Sequence, residues 1–208
     1  MIGGYIPASR HACVAAEFAC LCILFTSPAA CQGRVEGRGA ARRFVSQKYG
    51  FSIAVPVNWG VPKTVLDTPV FMYAPPAATF GQATIPKGGA IITVECLDSE
   101  SGLIRSATTP EEWARLDARA FAAGSASIKP VRMPKLSESS NAVLSSYDEP
   151  ILSPDQKEEH SVAIFWQFGE NLFAAHLRYN ANDSSAPRFD KIFLQTISSI
   201  RPLEKSEK

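Results

Sequence analysis

Cysteine is scarce where a stapled fold would need it. The chain has five, and Cys13, Cys20, Cys22 and Cys31 crowd the N-terminus, which leaves Cys96 as the only one in the rest of its 208 residues. A folded part with one cysteine cannot be a disulfide scaffold. Charge of one sign is also missing: 21 Lys and Arg stand against 20 Asp and Glu. No global field draws nucleic acid or an anionic membrane, and nucleic acid is not an expected partner. No run is apolar enough for a permanent membrane span, because the stretch from Cys13 to Phe25 is broken by Glu17 and falls short of the roughly 20 residues a span requires. Catalytic signatures are absent too, with no phosphate-cradling Gly-rich loop ending in Lys, no HExxH, no GxSxG and no CxxC. No catalytic residue, cofactor or metal ligand is assigned, and an uncharacterised enzyme stands as the last of three functional alternatives.

What is present begins with a leader. Arg10 and His11 precede the apolar stretch, and the small residues Ser27, Pro28, Ala29 and Ala30 precede Cys31. That is the layout of a secretory signal over residues 1–30. "PAAC" matches the bacterial lipobox at Ala29, Ala30 and Cys31, with Pro28 where Leu is usual, so Cys31 is the candidate lipidation site. Cleavage near Ala29 or Ala30 without lipid gives a free secreted protein. An uncut cytoplasmic N-terminus, which Glu17 favours, is the third outcome. Residues 31–43, rich in Gly and Arg, read as a flexible linker. Over about 13 residues such a tether spans roughly 20 Å, and Arg34, Arg38, Arg42 and Arg43 are available to anionic headgroups.

From Phe44 onward, short alternating runs separated by Gly, Pro, Asn and Asp indicate strands joined by turns. "FVSQ" and "FSIAV" form a hairpin with Phe51, Ile53 and Val55 on one face. Pro56 ends the pairing. Trp59 follows, either as a structural anchor or as a ledge for a small ligand beside the long loop from Pro75 to Gly89. "VFMYA", "AIITVECL", "SIKPVRMP" and "NAVLSSYDE" supply four more strands, the proline-broken third at an edge, with Cys96 turned into the core. In "TTPEEWARLDARAFAAG", Thr109 is an N-cap, Pro110 sits at N1, Glu112 caps reciprocally and Gly124 terminates. Trp113, Leu116, Ala120 and Phe121 form its apolar stripe.

The hairpin around Gly169 and Glu170 has a register that burial selects. Trp166 falls opposite Phe173, Ile164 opposite Ala175, Val162 opposite Leu177 and His160 opposite Tyr179, while a slip by one sets Ile164 against His176 and Val162 against Arg178. His160 and His176 then point to opposite faces and cannot share a metal. The second face mixes Phe165, Leu172 and Ala174 with Gln167, His176 and Arg178. It reads as a partly covered partner surface, with Phe165, Leu172 and Arg178 as its candidate binding residues. Asn182, Asp183 and Ser184 fit a helix-entry turn better than a glycosylation site. "APRFDKIFLQTISSIRP" closes the domain as an amphipathic helix with Phe189, Ile192, Phe193, Thr196, Ile197 and Ile200 on one stripe.

The pattern predicts an α+β fold: one domain over residues 44–203, with an antiparallel sheet packed by an internal helix and a C-terminal helix, then a disordered tail at 204–208. The "KYGFSIAVPVNW" start, the central antiparallel sheet and the "FDKIFLQTISSIRP" ending resemble the PsbP-like and DcrB-like group of small extracytoplasmic domains. The resemblance implies an α/β sandwich and a noncatalytic accessory role at membranes, photosynthetic complexes or secretion systems. It carries over no binding residues, since the matching positions are core positions. The expected function is a binding domain for a protein or envelope component, periplasmic, membrane-anchored or secreted. A small-ligand or lipid binder is the alternative.

Overall fold

A computed structural model describes residues 33–65, 68–77, 85–97, 107–131, 142–149, 159–168 and 171–203. The leader, Cys31, the hairpin turn at 169–170 and the tail lie outside them. In chain order the elements are β1 (Arg34–Glu36), β2 (Arg43–Ser46), β3 (Phe51–Ala54), β4 (Lys63–Val65), β5 (Thr68–Ala74), β6 (Ala90–Leu97), α1 (Pro110–Phe121), β7 (Ser127–Val131), β8 (Ala142–Glu149), β9 (Glu159–Phe168), β10 (Asn171–Asn180), α2 (Ala186–Ile197) and β11 (Arg201–Pro202). The strands make two antiparallel sheets, one ordered β4-β5-β6-β10-β9-β8-β7 and a smaller one ordered β1-β2-β3-β11. The chain therefore has the expected α+β class, with the N-terminal hairpin as a layer of its own.

The central hairpin has the register that burial selects: Trp166 opposes Phe173, Ile164 Ala175, Val162 Leu177 and His160 Tyr179. Trp166 and Phe173 stack with centroids 5.5 Å apart, and Phe51 of the small sheet meets Phe173 edge-on at 5.8 Å. Such ring pairs add about 0.5–1.5 kcal/mol beyond the area they bury. The main core lies between this face, the small sheet and α2, and takes in Cys96, Phe44, Ile53, Phe189 and Phe193. A second core fills the opposite face beneath α1, where Trp113 and Ala114 cover Phe165, Ala163, Leu172 and Ala174. A third, of Phe71, Ala77, Ile85 and Ile91, lies under the ends of the loop after β5.

Helix α1 starts as the sequence indicates: the Thr109 hydroxyl accepts from Glu112 N at 3.1 Å, with Pro110 in the first turn. The reciprocal bond is displaced by one residue, since Glu112 accepts from the backbone N and hydroxyl of Thr108, both at 2.8 Å. Those bonds hold the Glu112 carboxyl below its usual range. The buried stripe also differs from the expected one. Pro110, Trp113, Ala114, Asp117 and Ala118 face the sheet, while Phe121 is exposed. The helix ends at Phe121 because Ala122 is extended and Ala123 N donates to Asp148 O, so Gly124 plays no part in stopping it.

Residues 33–43 are not a free linker. Strand β1 pairs with β2, Val35 opposite Phe44, and Gly33 lies so close to the Phe44 ring that a Cβ there would fall within 1.9 Å of it. Arg42 donates to Pro56 O and Trp59 O in the loop after β3, and Arg43 donates to Ser52 O of β3 and to Ser199 O beyond α2, so both guanidiniums are engaged by the fold. Burial and the neighbouring Arg201 cation both lower the pKa of Arg43. Helix α2 buries Phe189, Phe193, Thr196 and Ile197. Beyond it, Ser199 Oγ accepts from Ala54 N, Leu203 N donates to Gly50 O, and β11 joins β3.

Candidate functional site

The structure takes the expected partner surface inward. Phe165 is 0% exposed and Leu172 5%, both beneath α1, with the Trp113 ring 5.6 Å from that of Phe165. The mixed face was too apolar for solvent because a helix sits on it, so Phe165 and Leu172 bind α1 and not a partner. Arg178 donates to Glu159 Oε2 at 2.5 Å, and that carboxylate, its side chain only 2% exposed, also accepts from Ile85 N at 2.8 Å. Arg178 is thus the counterion of a buried acid. Trp59 is 6% exposed within the main core and is the anchor, not a ledge. Of the Pro75–Gly89 loop, residues 78–84 lie outside the described ones, and the far end is pinned by Glu159 at Ile85 and by Asp183 at Gly88. His176 meets Phe165 on one face while His160 meets Tyr179 on the other, as the register requires. Among the described residues no cluster of His, Cys, Asp and Glu could hold a metal ion.

A different place presents accessible chemistry. A groove of about 340 Å³ runs between α2 and the strands β7, β8 and β9. Strand alternation sets its floor: Ser127 and Lys129 from β7, Leu144 and Ser146 from β8, and His160 and Val162 from β9 all point to one face. Asp190 and Leu194 from α2 form the far wall, with Leu194 44% exposed. The groove mixes an apolar strip with one cation, one carboxylate, two hydroxyls and an imidazole.

The imidazole is held at both nitrogens. Asp148 Oδ1 lies 2.5 Å from His160 Nδ1, and Ser146 Oγ lies 3.0 Å from Nε2. An ionised carboxylate only accepts, so Nδ1 carries the proton, and in the neutral tautomer that leaves Nε2 as an acceptor for the Ser146 hydroxyl. Cross-strand pairing builds the array, because Asp148 faces His160 directly and Ser146 precedes Asp148 by two residues on the same face. The Tyr179 ring lies 5.4 Å from that of His160, and its hydroxyl donates to Asp190 Oδ1 at 3.1 Å. Burial, and then the Asp190 charge, push the Tyr179 pKa up, so it remains a neutral donor.

No family model and no curated protein matches the chain. Among solved structures it is similar to a Bacteroides thetaiotaomicron VPI-5482 protein at 14% identity and a TM-score of 0.47, over 83% of this chain and 51% of that one. The chain thus spans about half the length of the Bacteroides protein. It is also similar to cyanobacterial PsbP (CyanoP) from Synechocystis sp. PCC 6803, at 13% identity and a TM-score of 0.46, over 80% of this chain and 94% of that one. A PsbP structure is among its likenesses. That is the group its opening strand and closing helix resemble, and the likeness concerns the fold alone.

The groove had no signal in the sequence that a short motif could catch. Ser146 and Asp148 sit in "LSSYDE", an alternation read only as a strand, and their partner His160 comes from the next strand after residues 150–158.

Proposed function

We propose that this protein is an accessory binding domain that acts outside the cytoplasm, held at a membrane through Cys31, and that it engages its partner or ligand through the groove between α2 and β7–β9. The groove carries the proposal: it is open, mixed in polarity and walled by the exposed Leu194, whereas the other candidate surfaces are occupied by α1 or by the core. The anchor has a geometric consequence. Gly33 already donates to Thr64 Oγ1 and packs on Phe44, so only Gln32 separates Cys31 from the folded part. At roughly 3.3–3.6 Å per residue a lipidated Cys31 would hold the domain against the headgroups with no long tether. No helix among the described residues is long and apolar enough to cross a membrane.

The intact mass of protein isolated from its native host tests the anchor. A chain starting at Cys31 with a lipid adduct is expected, and an unprocessed Met1 terminus overturns it. For the groove, Leu194→Glu replaces an exposed side chain and leaves the core intact. It is expected to abolish in-cell crosslinks formed from a photoreactive residue at position 129, which lines the same groove, and unchanged crosslinks overturn the assignment.

A further inference from the structure

We infer that Ser146, His160 and Asp148 form an acyl-transfer site that hydrolyses small carboxylic esters seated in the groove, an activity beyond the binding role proposed above. The order is that of orienter, base and nucleophile: Asp148 Oδ1 stands 2.5 Å from His160 Nδ1, and His160 Nε2 stands 3.0 Å from Ser146 Oγ. The hydroxyl end opens on the groove, where Leu144, Val162 and Leu194 provide an apolar seat for an acyl group. Ser127 lies directly across the strand pair from Ser146, and Lys129 is two residues along the same face. With the strand N–H groups engaged in the ladder, the Ser127 hydroxyl and the Lys129 ammonium, which line the same groove, are the donors this inference assigns to the oxyanion.

In the step, Ser146 Oγ attacks the ester carbonyl carbon as its proton passes to His160 Nε2, and the carbonyl electron pair moves onto oxygen beside Ser127 and Lys129. Collapse breaks the ester C–O bond, and the departing alkoxide takes the proton from Nε2. Water then gives a proton to the same nitrogen as it attacks the Ser146 ester. The carboxylic acid leaves and Oγ is reprotonated, with nothing oxidised or reduced. Asp148 stays ionised and keeps Nδ1 protonated. Its side chain is 50% exposed, so water weakens its hold on the ring and places the expected contribution of the base at the low end, about 10²-fold.

The test uses the full chain with p-nitrophenyl acetate and a fluorophosphonate probe, the labelled peptide being identified by mass spectrometry. Label is expected on Ser146 and is expected to vanish in His160→Gln, and Ser146→Ala should lower hydrolysis about 10²-fold or more. A cluster that merely ties β8 to β9 gives no Ser146 label and equal hydrolysis in Ser146→Ala, which overturns the inference. Should Ser146→Ala fold poorly, Ser146→Cys decides. Its alkylation by iodoacetamide is expected to titrate below the ordinary thiol value of about 8.5 and to return there when His160→Gln is added. An ordinary profile in both overturns it.

Discussion

Asp183 fastens two distant parts of the chain with one carboxylate: Oδ2 accepts from Gly88 N at 2.5 Å and Oδ1 from Ser185 N at 2.8 Å. Burial alone would raise its pKa, but the two backbone N–H bonds and the Lys87 cation outweigh burial and hold it below the usual aspartate value. A depressed carboxyl contributes stability that is fully present above its unfolded pKa, about 3.9, and is lost as pH falls through the lower folded value. Asp183→Asn can satisfy one of the two donors and leaves the other facing an amide N–H. It should cost about 1–3 kcal/mol at pH 7 by urea denaturation. The gap from wild type should close as pH is lowered through the folded pKa, and a constant gap would show that the charge contributes nothing. The helix-entry role of this triplet was legible from its residue types. The hold on Gly88 was not, since 95 residues separate the partners.

At the scale of elements, legibility followed from how many residues had to agree. The β9–β10 register was written in the sequence because a one-residue slip would bury His176 and Arg178 in place of Ala175 and Leu177, and several side chains vote together. The stripe of α1 was obscured by Asp117, a buried charge that periodicity scores as solvent-facing. Its carboxylate accepts from Tyr147 OH at 2.5 Å, which satisfies the group and pins the helix to β8. Strand β1 was hidden among Gly and Arg, and β11 by its proline, which an edge position tolerates. The groove array depends on β8–β9 pairing and was illegible for the same reason: neither strand shows it alone. The buried face of helix α2 was legible, although the helix ends at Ile197 and the buried Ile200 follows in the chain beyond it, and its weight can be tested. Phe189, Phe193 and Ile197 are each worth roughly 1.5–3 kcal/mol on burial, against a total stability of about 5–15 kcal/mol for a typical domain. A chain ending before Ala186 also loses β11 and the Ser199 bonds to β3 and Arg43. It should show no cooperative urea transition by circular dichroism, and a retained transition would mean that the helix only decorates the sheet.

For the whole molecule, the decisive feature is that β9 and β10 belong to two cores at once. Along β9, Trp166, Ile164 and Val162 face the main core, and Phe165 and Ala163 face the core under α1. A strand cannot leave one layer and keep its side chains in the other, so the two cores should open together. The three tryptophans report this separately, as Trp59 and Trp166 lie in the main core and Trp113 under α1. Phe165→Ala removes a fully buried ring from the α1 side and should cost about 3–5 kcal/mol. Followed by Trp166 fluorescence in a Trp59→Phe/Trp113→Phe background, the same substitution should lower the urea midpoint of the main core by the same amount as it lowers the far-ultraviolet circular dichroism midpoint, with the slope unchanged. A Trp166 signal that stays at its original midpoint would mean that α1 and its core unfold as an independent unit. The strand shared by both layers would then transmit nothing between them.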